Sequence, residues 1–356
     1  MASEIARIIT YILGYFIIAA TLVPFIRNDN WIFRIFEYPR SQKLLITLLL
    51  LLVFTLVADW DQTHSIVFAG LLSANAIYLF YRIFPYTILA TRQMKGQRSS
   101  AKGETFRLLV CNVYQDNRRV DQCLNCISTY RPDIVILVET DSWWRAQLTP
   151  LECDYEHRVL MPLDNTYGMM LFSKFELIEP QVKFLVEEGI PSIHTTVKLP
   201  SGHMFYLYCL HPQPPVPQEN PRSTERDAEL LLIAKEAKAC KLPVIVAGDL
   251  NDVAWSYTTE LFMKISGLLD PRRGRGFFNT FHAHYWYLRW PLDHIFCSKH
   301  FLLQDLKRLS PMGSDHFPIL VELGLHHEAT ERNESEQLHA DSEETQVAEE
   351  KIERAF

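Results

Sequence analysis

The chain has 356 residues, of which 48% are hydrophobic, and its formal net charge is -7 at pH 7. This length suffices for one large domain or two medium ones with a sizeable core. The mild negative charge argues against a broad cationic surface. Bulk charge therefore does not favour tight non-specific binding to nucleic acid, although it leaves a nucleic-acid substrate open.

Three apolar runs occupy the N-terminal part of the chain, at residues 5–26, 44–58 and 66–81. The first contains Arg7 as its one charged residue and is long enough to cross a bilayer as a helix. Its length, and the lack of a small-residue cleavage site after it, argue against a cleaved signal peptide. The two shorter runs form either two further spans or one re-entrant hairpin. We predict a membrane region over residues 1–93 with three transmembrane helices.

The loops between these runs differ in charge. The loop between the second and third runs carries Asp59 and Asp61 and neither lysine nor arginine. The loop between the first and second runs is basic and contains Arg27, Arg34, Arg40 and Lys43. The positive-inside rule places the basic loop in the cytoplasm, and the third span returns the chain to that side. All 7 cysteines lie beyond the spans without an evident disulfide framework, which agrees with a reducing compartment.

The rest of the chain divides by composition. Residues 94–103, "MKGQRSSAKG", are small and polar, which predicts a linker. Residues 104–325 contain the β-rich apolar runs of a folded domain. Residues 326–356 are rich in glutamate and nearly free of core-forming residues, which predicts an acidic disordered tail.

Short apolar runs in the folded domain predict strands that are covered on both faces, and each run ends abruptly in polar residues. These runs are "FRLLVCNV", "DIVILVET", "GMMLFSK", "FYLYCLHP", "LPVIVAGDLND", "PLDHIFCS" and "GSDHFPILVEL". A segment of helical period, "RDAELLLIAKEAKACK", lies between two of them, so the predicted class is α/β. A single polar strand end commonly caps a helix or forms a turn. The repetition of the pattern favours one shared site, because sites in α/β folds are built at strand ends.

The residue types at these strand ends suit a narrow range of chemistry. Several are hard oxygen donors, namely Glu139, Asp249, Asn251 and Asp315. Such a set favours Mg²⁺ or Mn²⁺ over structural zinc. His211 and His316 exchange protons near neutral pH, and Asp293 is placed to orient one of them. An oxygen-bound divalent ion beside such histidines predicts attack of water on a phosphoester.

Together these stretches resemble the endonuclease/exonuclease/phosphatase superfamily, over nearly the whole of residues 104–325 and in the family's order. Ser-Asp-His-x-Pro in "GSDHFPILVEL" is the family's signature, and "GDLN" matches its Gly-Asp-Phe-Asn with one apolar exchange. The resemblance implies a four-layer sandwich of two mixed β-sheets flanked by helices, here preceded by the transmembrane helices. It also implies a Mg²⁺-dependent hydrolase acting on ester bonds. The chain is similar to a membrane-anchored bacterial branch, which implies the bacterial inner membrane with the catalytic domain facing the cytoplasm.

The resemblance implies a role for each matching residue. Asn112, Glu139 and Asp315 match the metal side, with Glu139 as a direct ligand. His211 matches the histidine that contacts phosphate or acts as general acid, and Asn251 matches the amide that orients the phosphate.

The remaining catalytic positions concern proton transfer. Asp249 matches the aspartate that positions or deprotonates the nucleophile. Asp293 matches the acidic partner of His316, which acts as general base or stabilises the transition state. The family commonly has an aromatic residue where this chain has His294, and a histidine there is more often packed than catalytic.

Three more residues are expected to bind substrate. Arg222 and Arg226 follow a proline-rich stretch and are placed to reach a phosphate, although each also suits the exposed start of a helix. Thr280 stands where family members often carry Thr or Ser before an aromatic residue.

Several functions compete at this stage. The first is a membrane-anchored, nuclease-like phosphodiesterase, because small members with compact loops resemble that branch most. The second is a phospholipid, phosphoinositide or sphingomyelin-type phosphatase or phosphodiesterase, and the third is a non-catalytic membrane scaffold. The expected partners are therefore the lipid bilayer and a phosphoester substrate, either nucleic acid or a phospholipid head group. No obligate protein partner is evident.

Overall fold

The computed structural model describes residues 2–96 and 104–356. Most of the predicted linker, residues 97–103, lies outside the described residues. The N-terminal part contains helices α1 (Ala2–Leu22), α2 (Trp31–Arg34), α3 (Arg40–Val57) and α4 (Thr63–Ile83).

Three of these helices are long and apolar enough to cross a membrane, judged by length and composition. They are α1, α3 and α4, and they pack around the side chains of Phe54, Phe68 and Leu72. Both α3 and α4 reach the length of a span on their own, which favours three spans over a re-entrant hairpin.

Two mixed β-sheets follow, and they pack face to face. The strands are β1 (Glu104–Asn112), β2 (Ile134–Val138), β3 (His157–Met161), β4 (Met169–Ser173), β5 (Glu176–Lys183), β6 (Ser192–Lys198), β7 (Met204–Leu210), β8 (Val244–Asp249), β9 (Asp293–Cys297), β10 (Phe301–Arg308) and β11 (Ile319–Leu325). The 6-stranded sheet has the order β10-β11-β1-β2-β4-β3, and the 5-stranded sheet has the order β5-β6-β7-β8-β9. Side chains such as Val110 and Ile136 of one sheet meet Leu207 and Ile245 of the other in the central core.

Helices cover the outer faces of both sheets. They are α5 (Val120–Tyr130), α6 (Ser142–Gln147), α7 (Thr224–Ala239) and α8 (Tyr257–Ser266). Cys123, Cys126 and Trp144 pack on the first sheet, while Leu231 and Phe262 pack on the second. The expected four-layer sandwich is confirmed, and the Cys-x-x-Cys pair belongs to its core.

Parallel pairing brings the ends of four strands to one side of the sandwich. In the first sheet β1 pairs in parallel with β2, and in the second β7 pairs in parallel with β8. The carboxyl ends of parallel neighbours point the same way, so all four strands end at one side of the sandwich.

The C-terminal residues differ from the expected disordered tail. They form helices α9 (His327–Asn333) and α10 (Ser342–Glu353), and α10 begins with a capping box made by Asp341 and Glu344. Ala348 is buried against α7 and α8, and Lys351 donates to Asp227 at 2.8 Å. The prediction of a disordered tail from composition was wrong, because a short apolar stripe and buried ion pairs hold α10 in place without large core residues.

Glu229 on α7 has a buried carboxyl group whose Oε1 atom has no hydrogen-bond partner in the described part of the chain. Burial raises the pKa of Glu229 from 4.5 to about 8, and the nearby Glu187 adds to the rise. The folded state thus holds a proton that the unfolded state releases above pH 4.5. The contribution of Glu229 to stability is therefore fully present below pH 4.5 and is lost as the pH rises through about 8.

We expect Glu229→Gln to raise the melting temperature at about pH 7.5 and to leave it nearly unchanged at about pH 4, because glutamine carries no charge to desolvate. Thermal unfolding of the full chain in detergent at both pH values measures this. The matched control is Glu349→Gln, at an exposed position of α10. An equal shift at both pH values would contradict the assignment.

Candidate active site

The end of β1 and the residue after β2 form one half of the site. Asn112 Nδ2 donates to Glu139 Oε1 at 2.6 Å and to Asp249 Oδ2 at 3.0 Å. Glu139 has a φ of 61°, a left-handed conformation that is costly for a residue with a side chain. The backbone N–H of Gln115 donates to Glu139 Oε2 at 3.2 Å. These hydrogen bonds hold the carboxylate at the end of the sheet, close to Asp249.

The ends of β7 and β8 form the other half. Gly248 has a φ of 149°, and a Cβ atom there would lie 1.9 Å from the carbonyl oxygen of Leu210. Glycine therefore allows the two strands to approach so closely that Asp249 and His211 emerge side by side. The backbone N–H of Asn251 donates to Asp249 Oδ1 at 3.0 Å, and this hydrogen bond fixes the orientation of the carboxylate.

His316 connects two carboxylates. Its Nδ1 donates to Asp293 Oδ2 at 2.8 Å, and its Nε2 lies 3.5 Å from Asp249 Oδ2. Burial alone would lower the pKa of His316, but Asp293 and Asp249 raise it to about 10, so the ring is charged at neutral pH. Burial alone would likewise raise the pKa of Asp249, but His316 and His211 lower it and keep the carboxylate ionised.

The two other histidines near the site are neutral. Burial lowers the pKa of His211 to about 4, although Asp249 opposes the shift. Its Nδ1 has no hydrogen-bond partner in the described residues, and its ring lies 5.4 Å from that of Tyr167. His294 is packed, as expected, with Nδ1 at 2.6 Å from Arg272 Nη2, and burial lowers its pKa to about 3. His211 is therefore the one of the two that is free to contact a substrate.

Two sets of side chains offer ligand atoms for a metal ion. Asp249, Asp293 and His316 have ligand atoms within 4.8 Å of one another. Both ring nitrogens of His316 face carboxylates, however, so a proton already occupies the place that an ion would take. This trio fits a proton-transfer chain better than a metal centre.

Glu139 and Asp315 form the second set, in the cleft beside the first. Burial raises the pKa of Glu139 to about 7 despite the hydrogen bond from Asn112, and Asp315 adds to the rise. Among the described residues no Lys or Arg forms a salt bridge with Glu139. Half-buried oxygen donors with excess negative charge fit a hard divalent cation.

Three residues expected to bind substrate lie away from the cleft. Arg226 is buried and donates to the backbone carbonyl of Asn251 at 2.6 Å, so it supports that loop from behind. Thr280 is buried and accepts the backbone N–H of Asp293 at 3.1 Å. Arg222 lines a separate surface cleft beside α2. Arg226 and Thr280 thus contact the backbone of predicted site residues, whereas Arg222 lies in a different cleft.

The structure also shows a wall of the site that the sequence analysis missed. A cleft of about 690 Å³ is lined by Glu139, His211, Asn251, Asp315 and His316, and also by Trp31, Ile35 and Tyr38 from the segment between α1 and α3. The Tyr38 hydroxyl donates to the carbonyl of Asn251 at 2.9 Å. The aromatic run "NWIFRIFEY" could have indicated this wall, but only the charges of the segment were used, and they predict membrane topology.

Comparisons with known structures agree with the fold. The fold resembles D. rerio TDP2 complexed with a single-strand DNA product, with a TM-score of 0.51 and 18% identity over 62% of this chain and 99% of that one. It resembles the human Nocturnin catalytic domain with bound sulfate, with a TM-score of 0.50 and 19% identity over 62% and 94%. An endonuclease/exonuclease/phosphatase from Beutenbergia cavernae DSM 12333 gives 0.51 and 15% over 63% and 72%. At such identities these likenesses show the fold alone.

No curated protein matches the sequence of this chain. Residues 109–316 match the family described as the Endonuclease/Exonuclease/phosphatase family. This match covers more than half of the chain and runs from β1 through His316, so the chain belongs to the Endonuclease/Exonuclease/phosphatase family.

Proposed function

We propose that this chain is a membrane-anchored, divalent-metal-dependent phosphoesterase whose catalytic domain faces the cytoplasm. The observation that carries the proposal is the position of Asp249, an ionised carboxylate at a point where several strand ends meet. Asn112 donates to it at 3.0 Å, Asn251 donates to it at 3.0 Å, and charged His316 lies 3.5 Å away. A fixed, ionised carboxylate next to an imidazolium suits activation of water beside a phosphoryl group.

The proposed reaction is hydrolysis by direct attack of water. The water oxygen forms a bond to phosphorus while its proton passes to Asp249, the ester P–O bond breaks, and the leaving oxygen takes up a proton. Neutral His211 and Asn251, which line the cleft, contact the phosphoryl oxygens, and the positive charge of His316 offsets their negative charge. Asp293 keeps the His316 ring oriented and charged.

Glu139 and Asp315, with Asn112 behind them, would hold Mg²⁺ or Mn²⁺. When bound, the ion offsets negative charge on the phosphoryl oxygens. The raised pKa of Glu139 supports this assignment, because a cation would relieve the cost of its buried charge.

We expect Glu139→Gln to raise the Mg²⁺ concentration for half-maximal activity by about 100-fold or more. Loss of a residue that only supports a metal ligand lowers metal affinity by up to about 100-fold, and loss of a direct ligand should cost at least as much. Glutamine keeps the shape and loses the charge. The full chain in detergent is assayed with bis(p-nitrophenyl) phosphate across a Mg²⁺ and Mn²⁺ titration, after removal of metal by a chelator. Glu349→Gln is the control, since that glutamate is exposed on α10.

Two outcomes would contradict the proposal. Activity that survives chelation would exclude the metal requirement. No hydrolysis of this ester, or of any other phosphoester, with either ion would favour the non-catalytic scaffold.

The proposed reaction does not by itself determine the class of substrate. The sequence places nucleic acid first, and the TDP2 structure contains a single-strand DNA product. The walls of the cleft in this chain favour a different class.

A further inference from the structure

The wall of the cleft that faces the catalytic residues comes from the predicted membrane region. Trp31, Ile35, Tyr38 and Pro39 line it, and Pro39 directly precedes α3, one of the helices apolar enough to cross a membrane. The cleft therefore begins at Asp315 and His316 and ends where a candidate span begins.

This wall is fixed to the catalytic domain by several contacts. Besides the bond from Tyr38 to Asn251, Arg34 Nη2 donates to Asp227 Oδ2 at 2.6 Å. Trp255 Nε1 donates to the carbonyl of Glu37 at 3.0 Å. Because Arg34, Asp227 and Trp255 are buried, these contacts hold the loop in a fixed position beside the site.

The surface of the cleft changes from charged to apolar along its length. The catalytic end carries carboxylates and histidines, whereas the remainder is lined by Trp31, Ile35, Pro215, Val216, Leu288 and Trp290. Within the described residues, Arg34 is the one Lys or Arg that lines it, and its guanidinium is already engaged by Asp29, Glu37 and Asp227, while His316 lies at the catalytic end between two carboxylates. A polynucleotide needs cations along the path of its successive phosphates, and this cleft offers none that is free.

An exposed aromatic loop places the cleft at the level of a bilayer surface. Trp286 is 78% exposed, and Tyr285 and Tyr287 beside it are also exposed. Gln42 Nε2, in the first turn of α3, donates to the carbonyl of Tyr287 at 3.1 Å. Tryptophan and tyrosine concentrate at membrane–water interfaces, so this loop suits the head-group region around the start of a span.

We propose that the substrate is a membrane phospholipid, with its phosphoester at Asp249 and His316 and its hydrocarbon along the wall of Trp31, Ile35 and Val216. This inference rests on the proposed phosphoesterase activity and names its substrate class. Water adds to the phosphorus of the head group, one P–O ester bond breaks, and the leaving oxygen takes up a proton. The site need not extract the whole lipid, because the wall continues to the bilayer surface.

The test uses the full chain reconstituted in vesicles of phosphatidylethanolamine and phosphatidylglycerol, with and without a polyprenyl phosphate, in Mg²⁺ or Mn²⁺. Product formation is followed by lipid chromatography and phosphate release. Bis(p-nitrophenyl) phosphate and a single-stranded oligonucleotide are assayed with the same preparation.

Two isoleucines of the same loop make a matched pair of variants. Ile32 and Ile35 are each 52% exposed, but only Ile35 lines the catalytic cleft. We expect Ile35→Glu to lower lipid turnover at least about 10-fold more than it lowers hydrolysis of the soluble ester, which corresponds to loss of one buried apolar contact that only the lipid makes. Ile32→Glu leaves both activities unchanged.

Other outcomes would overturn the inference in distinguishable ways. Cleavage of the oligonucleotide but of no lipid would establish a nuclease and leave the phosphoesterase proposal intact. An equal loss of lipid and soluble-ester turnover in Ile35→Glu would show that the wall does not select lipid. Absence of turnover with every substrate would contradict both proposals.

Discussion

Replacing Asp249 by asparagine is expected to lower kcat by about 10³-fold, within the range that loss of a general base produces. Asparagine keeps the size of the side chain and can still accept the backbone N–H of Asn251, but it cannot take a proton from water. It also removes one of the two charges that hold His316 protonated. The measurement is steady-state hydrolysis of bis(p-nitrophenyl) phosphate by the full chain at saturating Mg²⁺.

The same variant should keep its fold and its metal requirement, because Asp249 lies beside the metal side rather than in it. Asp305→Asn, at a half-exposed position on β10, is the matched control and should retain full activity. If Asp249→Asn keeps more than about a tenth of wild-type kcat, which is far above the loss expected for a general base, then Asp249 does not activate the nucleophile. In that case His316 would be the remaining candidate.

The strands were predictable because their sequences leave few alternatives. "IVILV" forms β2, in which every residue is buried, and a continuous run of branched apolar residues has no other stable place than a covered strand. The polar residues that follow such runs then fall at the strand ends. Asn112, Glu139 and Asp249 follow such runs, and His316 precedes the run of β11. These four residues, which the sequence predicts as site residues, lie together in the structure.

The roles of other residues depended on contacts between distant parts of the chain. Arg226 carries the charge of a phosphate ligand, yet it is turned inward by the carbonyl of Asn251 and by Asp227. Thr280 points to the backbone of Asp293, where it orients the partner of His316 and contacts no substrate position. Local sequence shows which groups are available, while burial decides what each of them faces.

The largest departure concerns segments assigned by composition alone. The loop before α3 looked like a basic membrane flank, and the C-terminal residues looked disordered. Both are held by one buried carboxylate, Asp227, which lies 193 positions from Arg34 and 124 positions from Lys351. Pairings over such distances leave no periodic signal in the sequence.

Replacing Asp227 by asparagine is therefore expected to destabilise the protein by about 3–5 kcal/mol, the cost of removing one partner from a buried ion network. Asp227 accepts hydrogen bonds from Arg34, Arg226 and Lys351 at 2.6, 2.8 and 2.8 Å. Burial alone would raise the pKa of Asp227, but Lys351, Arg34 and Arg226 lower it strongly, so the carboxylate is charged at every working pH. Asparagine leaves those cations buried with no opposing charge at this position.

Thermal and chemical unfolding of the full chain in detergent, followed by tryptophan fluorescence, measure the loss. Asp154→Asn, at an exposed position, is the matched control and should change stability by no more than about 0.5 kcal/mol. Lys351 also donates to Asp29 at 2.9 Å. Adding Lys351→Met to Asp227→Asn removes one of the three cations that lose this carboxylate, so the double variant should be more stable than Asp227→Asn alone. A loss below about 1 kcal/mol, or no recovery in the double variant, would show that the network is solvated rather than dry.

Asp227→Asn also tests whether the segment before α3 only anchors the domain or forms a wall of the active site. Arg34 depends on Asp227, and Arg34 holds the loop that carries Trp31 and Ile35 against the cleft. Below its melting temperature, Asp227→Asn should therefore lose more activity on vesicle lipids than on the soluble ester, because the catalytic groups at Asp249 and His316 stay in place. If both activities fall together, the network supports the catalytic loop around Asn251 through Arg226, and the membrane loop has no separate part in selecting the substrate.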